Sequence, residues 1–228
     1  MQKIKILNIG IDNVSSLELL RSLKQGVLVT PNIDHLVKLQ KNKELYNLYS
    51  KAEWIVCDSK VIYLLSRLLQ CSLKDVIPGS SFFPKFYMYH KDDMDCRIFL
   101  LGAMEGVAVK AMENINQKVG RKIVVGAYSP SYGFEKEQNE SEEIYKMINE
   151  SGANVVLVGV GCPKQEKWIF THKDKMPEVD IWMALGATID FEAGNIKACS
   201  QNIPNLGDGM VLSLPERTQA TIQALFYR

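Results

Sequence analysis

The chain is short of the residues that announce a metal or a disulfide framework. Its 228 residues hold three histidines, His35, His90 and His172, and none lies four positions from another. That spacing excludes the paired-histidine helix of zinc hydrolases. The five cysteines, Cys57, Cys71, Cys96, Cys162 and Cys199, are odd in number and form no C-x-x-C pair. They suit reduced thiols better than a disulfide set or a structural zinc site. Charge of one sign is lacking too: 27 Lys and Arg face 26 Asp and Glu, a net of +1. No global field draws nucleic acid, which is not an expected partner. No apolar run approaches the roughly 20 residues of a membrane-spanning helix. The opening Met1-Gln2-Lys3-Ile4-Lys5 has no signal-peptide core, so membrane contact is expected to be peripheral. Gly-x-Ser-x-Gly and Walker patterns are absent, and no Gly-x-Gly-x-x-Gly follows the first strand. This argues against serine hydrolases, P-loop enzymes and generic NAD or methyl-donor enzymes.

What is present is an ordinary globular composition, 46% hydrophobic and 23% charged. The length suits one domain, or one with a small appendage. Residues 155–160 are almost continuously apolar and β-branched, as in a strand buried on both faces of a parallel sheet. Gly159 and Gly161 permit a tight turn and close approach of a ligand. Pro163 stops the strand, and Gln165-Glu166-Lys167-Trp168 opens a helix. A buried strand, a glycine turn and a helix N-terminus together make a pocket suited to an anion, into which Gln165 would extend its amide. A plain βα connection with a solvated helix start has the same spacing.

Strand patterns recur at 3–7, 27–30, 54–57, 97–101, 122–127 and 181–184. Helix patterns fall at 15–23 (capped by Ser15 or Ser16), 33–39, 43–51, 60–69, 82–90, 107–117 and 141–150. In the 60–69 helix, Val61, Leu64, Leu65 and Leu68 form the apolar side. Residues 75–83, 129–133 and 186–194 read as loops. This alternation predicts an α/β, Rossmann-like, mostly parallel sheet with helices on both faces.

In such sheets ligands bind beyond the carboxyl ends of the strands. Thr30, Asn32, Asp58, Gly102, Ala103, Gly161, Gln165 and Asp190 fall there. Read alone, Asp58 is also a common helix cap, and Thr30 and Asn32 also suit a turn. Asp92-Asp93-Met94-Asp95 contains an Asp-x-Asp, but it precedes a strand and reads as a solvated turn at the wrong edge.

Taken in order, these segments resemble the WecG/TagA/CpsF glycosyltransferases, family 26 of the sugar transferases. The resemblance runs from Ile6 to about Lys197. It is carried by Ile9-Gly10-Ile11-Asp12, Val29-Thr30-Pro31-Asn32, Cys57-Asp58-Ser59, Pro78-Gly79-Ser80 and Phe99-Leu100-Leu101-Gly102. Gly159-x-Gly-x-Pro-Lys-Gln-Glu-Lys-Trp168 and Gly186-Ala187-x-x-Asp190-Phe191-x-Ala-Gly194 complete it. It implies a GT-E-like fold and an inverting transfer that uses no metal or other cofactor. The donor would be a UDP-sugar, most often UDP-N-acetylmannosamine, and the acceptor a polyprenyl-diphosphate-linked amino sugar. The setting would be cell-envelope polysaccharide or teichoic-acid-type synthesis at the inner, cytoplasmic face of the cytoplasmic membrane. Family roles map onto Thr30, Asn32, Asp58 and Gln165, with Asp58 as base. The motifs add Gly79, Ser80, Gly159, Pro163 and Lys164 as substrate-binding positions. Ser81 stands where the family usually has Asp, and Val76 where many members carry Arg. An alternative is a UDP-sugar-binding protein with impaired catalysis, and homo-oligomers fit either reading.

The resemblance divides the chain into a catalytic domain, 1–197, and an atypical tail, 198–228. After Lys197 the family continues with a basic, membrane-binding appendage; here the pattern stops. Met210-Val211 requires ATG-GTN, which one nucleotide on reads TGG, a Trp. In that frame residues 206–213 can spell Gly-Met-Glu-Trp-Phe-Tyr-Arg, the family's appendage motif. A frameshift near Lys197 or Ala198 is therefore expected to have replaced the appendage, weakening membrane attachment. Sequencing the coding DNA tests this: codons for 206–213 that cannot spell the motif in the shifted frame rule it out.

Overall fold

The computed structural model describes residues 2–68 and 70–195. The boundary at 197 and the tail expectation lie outside the described residues. Six strands form one wholly parallel sheet: β3 (Gly26–Val29), β4 (Trp54–Ile55), β5 (Ile98–Gly102), β6 (Val124–Tyr128), β7 (Val155–Gly159) and β8 (Ile181–Ala184), in the order β4-β3-β8-β7-β5-β6. The first two strands, β1 (Lys3–Ile6) and β2 (Ile9–Asp12), form a separate antiparallel hairpin. The apolar pattern at 3–7 marks only its first strand. Asp12 ties the hairpin to the sheet: its carboxylate accepts the Ile55 amide at 2.8 Å.

Strand side chains alternate between two cores, because successive residues point to opposite faces. Val27, Val29, Phe99, Leu101, Val156, Val158, Trp182 and Ala184 enter one core. Leu28, Ile98, Leu100, Val155, Leu157, Ile181 and Met183 enter the other. The first core is covered by the hairpin and by α2 (Ile33–Lys41), α3 (Lys43–Tyr49), α4 (Lys60–Leu68), α7 (Gln138–Ser151) and α8 (Lys164–His172). The second is covered by α1 (Ser16–Ser22), α5 (Gly79–Tyr89), α6 (Val107–Val119) and α9 (Thr188–Glu192). All five residues of β7 are buried, as its unbroken apolar run requires. Helix α1 starts in a capping box, Ser15 with Glu18.

Three expectations are corrected. Helix α5 begins at Gly79, so much of the expected 75–83 loop is helical; Pro78 sets its entry. The expected 186–194 loop contains α9, too short to show a full apolar period. In α4 the core-facing residues are Ile62 and Ser66, while Val61 is 49% exposed. Counting large apolar residues misplaced that face, because Ser66 is buried to accept the Leu73 amide at 3.1 Å.

At the carboxyl edge three backbones stack with no room for side chains. A Cβ on Gly102, whose φ is +138°, would meet the Gly159 carbonyl oxygen at 2.5 Å. One on Gly159 would meet the Gly186 carbonyl oxygen at 2.6 Å. Gly102→Ala is therefore expected to cost about 3 kcal/mol, combining overpacking with a left-handed backbone. Gly120→Ala, a left-handed helix end facing open space, should cost about 1 kcal/mol. Urea unfolding of both variants checks the order; equal losses would refute the close-packing account.

Candidate active site

The parallel strands bring their carboxyl ends to one rim, and two cavities open along it. The first, about 240 Å³, lies beyond β3, β4 and β8. Thr30, Asn32, His35, Asp58, Gly79, Ser80, Cys162 and Gln165 line it. The second, about 350 Å³, lies beyond β5 and β7; Ala103, Tyr132, Glu135, Gly159, Lys164 and Asp190 line it. Gly161, Gly186 and Ala187 belong to both and form the ridge between them.

Asp58 leaves the end of β4 and crosses to α5, where its Oδ1 accepts the Gly79 amide at 3.2 Å. Of the two readings open for it, the cap survives in altered form. It takes an amide of α5, whereas Ser59 accepts the Val61 amide at the start of α4. Burial pushes the Asp58 carboxyl above the usual carboxylate range, and the Gly79 amide opposes that shift. Thr30 is 8% exposed at the end of β3. Asn32 caps α2, its Oδ1 accepting the His35 amide at 3.0 Å. Gly79 and Ser80 are the first residues of α5, which points its N-terminus at the first cavity.

Gln165 departs from its expected posture. It is 2% exposed, and its Oε1 accepts two backbone amides, Gly161 at 3.2 Å and Gly186 at 3.1 Å. Its Nε2 donates to Glu166 Oε1 at 3.1 Å. The amide thus braces the ridge instead of reaching into the pocket. Lys164 lines the second cavity, its Nζ 3.7 Å from Glu135 and 4.4 Å from the centre of the Tyr132 ring. Pro163 faces another cavity, beside Lys167 and Trp168. Gly102 lines neither of the two; it packs on Gly159.

Sequence reading passed over His35, Cys162 and Tyr132. His35 sits three residues after Asn32, a spacing that puts it one turn into a helix capped at the strand end, and this was the available signal. Burial pushes the Cys162 thiol up to about 12, with the neighbouring Glu166 adding to the shift. The Asp-x-Asp segment lies before β5, at the opposite edge, with Asp92 90% exposed in its side chain. Among the described residues no cluster of three or more His, Cys, Asp or Glu could hold a metal.

The raised Asp58 pKa has a consequence for stability. Its neutral form is favoured in the fold, so its contribution is fully present below the unfolded pKa and is lost as pH rises through the folded one. Asp58→Asn keeps an acceptor for Gly79 and avoids the buried charge. It should raise the urea midpoint at neutral pH, with the advantage shrinking toward acid pH; a variant less stable at neutral pH refutes the burial argument.

Among the described residues no helix is long and apolar enough to cross a membrane. Residues 4–210 match the family described as "Glycosyl transferase WecG/TagA/CpsF family". The chain is also similar to curated proteins named N-acetylglucosaminyldiphosphoundecaprenol N-acetyl-beta-D-mannosaminyltransferase. Those of Staphylococcus aureus strains NCTC 8325 / PS 47 and COL are 26% identical to it over 207 residues, covering 84% of this chain and 76% of each relative.

Proposed function

Because the chain belongs to the WecG/TagA/CpsF family of glycosyltransferases, we propose that it transfers N-acetylmannosamine from a UDP-sugar to N-acetylglucosamine carried on a polyprenyl diphosphate. The acceptor and the transferred sugar follow the names of the relatives. The UDP donor, the inversion and the absence of a metal are part of the proposal. So are peripheral attachment to the cytoplasmic face of the membrane and a catalytic unit that ends near residue 197.

One observation carries the reading. A half-buried carboxylate, Asp58, sits in a cavity that meets a second cavity across a ridge of backbone. The first cavity would hold the acceptor hydroxyl and the anomeric carbon; the second would hold the nucleotide diphosphate. In the transfer, Asp58 takes the proton of the acceptor hydroxyl as its oxygen attacks the anomeric carbon. The bond from that carbon to the diphosphate oxygen breaks, and UDP leaves with the electron pair. A carboxyl whose pKa is raised by burial is a stronger base than an ordinary aspartate, which suits this task. Thr30 and Asn32 flank it on the β3 side.

The diphosphate needs donors. The Gly161 amide is spent on Gln165, so it is not available without rearrangement. Lys164 is the one cation among the described residues lining the second cavity, and Glu135 and Asp190 oppose it there. We assign Lys164 to the diphosphate, released from Glu135 when the donor binds. The Arg found in many family members has Val76 in its place here, so cationic compensation is thin.

Asp58→Asn in the full chain should lower turnover by about 10²- to 10⁴-fold, while calorimetry shows UDP-sugar affinity largely kept. Transfer is measured with UDP-N-acetylmannosamine and a lipid-diphosphate acceptor. Unchanged turnover in the variant refutes the base assignment. Absence of UDP-sugar binding by the unaltered chain refutes the functional reading itself.

A further inference from the structure

A chain of hydrogen bonds runs from the ridge through the core and returns to the first cavity at His35, and with Glu166 Oε1 as acceptor its links share one direction. It starts with the Gly161 and Gly186 amides, which can only donate. Gln165 Oε1 accepts both, so Nε2 is the end that faces Glu166. An amide nitrogen only donates, so Glu166 Oε1 is an acceptor. Tyr49 Oη lies 3.3 Å from the same Oε1 and has one proton, which it gives there. Its oxygen then accepts from His35 Nδ1 at 3.2 Å, with the Cys162 thiol as a further neighbour of Tyr49 and Glu166. His35 therefore carries its proton on Nδ1, and Nε2 keeps a lone pair.

Burial supports this arrangement. Glu166 is 0% exposed and Tyr49 1%, so water does not compete for these bonds. Glu166 Oε2 has no partner, and burial pushes its carboxyl above the usual range; the direction at Tyr49 holds for an ionised Glu166 or for one with its proton on Oε2. Burial also lowers the His35 pKa, which keeps the ring neutral. Among the described residues His35 Nε2 has no protein partner, yet it is not among the buried polar atoms lacking one. His35 lines the cavity that holds Asp58.

We infer that His35 is a further substrate-binding residue: its unprotonated Nε2 accepts a hydrogen bond from a sugar hydroxyl in the Asp58 cavity, and Tyr49, Glu166 and Gln165 are positioning residues that set its tautomer. The binding half of this rests on the glycosyltransferase reading; the tautomer half rests on geometry alone. The acceptor atom serves a hydroxyl of either the donor or the lipid-linked sugar.

The test uses the full chain labelled with ¹⁵N-histidine. Long-range ¹H–¹⁵N correlation at neutral pH should show His35 as the Nδ1–H tautomer. Tyr49→Phe removes the acceptor of that proton and should turn the ring toward the commoner Nε2–H form, with thermal melting confirming that the variant folds. Adding UDP-N-acetylmannosamine, or separately a water-soluble acceptor analogue, should move the Nε2 resonance with whichever sugar carries the hydroxyl. Catalytic efficiency should fall about threefold to tenfold in Tyr49→Phe, the range of one hydrogen bond. His35→Gln, whose Oε1 stands near the place of Nε2, should keep more activity than His35→Ala. An Nε2–H tautomer in the unaltered chain overturns the proposal, as does an Nε2 resonance that neither sugar moves, or full activity in His35→Ala. Should no donor be bound or transferred, the functional reading falls, while the tautomer spectrum still decides the hydrogen-bond chain.

Discussion

The carboxyl edge is held by one buried amide. Gln165 accepts the amides of Gly161 and Gly186, which belong to the turns after β7 and β8. Beside them the backbones of Gly102, Gly159 and Gly186 pack directly on one another. A polar group sealed from water must be satisfied, and one that is satisfied twice holds its partners firmly. The ridge between the two cavities owes its shape to this clamp. Both cavities, and the reach from Asp58 to the second, depend on where the ridge stands.

Asp58 is set by two opposed effects. Burial disfavours its charge, while the first amide of α5 favours it. Burial wins, so the carboxyl ionises at higher pH than an aspartate in water. A residue tuned this way is costly to the fold and useful as a base, which is the usual relation between stability and catalysis at such positions. Glu166, a few residues past the ridge, has no partner for Oε2. It is held deeper, at 0% exposure, and serves the architecture of the site.

The fold was legible wherever a single period dominated. The run at β7, the strand at β8 and a helix cap at Ser15, one of the two serines expected there, stand in the structure. Legibility failed where burial depended on a distant partner. The second strand of the hairpin pairs only with its neighbour, and its Asp12 is buried because it serves Ile55 on β4. Ser66 turned the face of α4 for the same reason. Within the site, Thr30, Asn32, Asp58, Gly161 and Gln165 were marked by their places at strand ends, and all line the first cavity. Pro163 was marked by motif adjacency and Gly102 by its strand end, and neither says which way a residue faces.

The sequence alone determined the parallel α/β layout, the family and the set of strand ends at which chemistry collects. These follow from local periodicity and short motifs, which are properties of neighbouring residues. The direction of the Gln165 amide, the pairing of Asp58 with α5 and the return of the hydrogen-bond chain to His35 were decided only by tertiary structure. Each joins groups far apart in the chain, such as Tyr49 and Glu166, and a hydrogen bond between them acquires its direction only when burial removes water as the alternative partner.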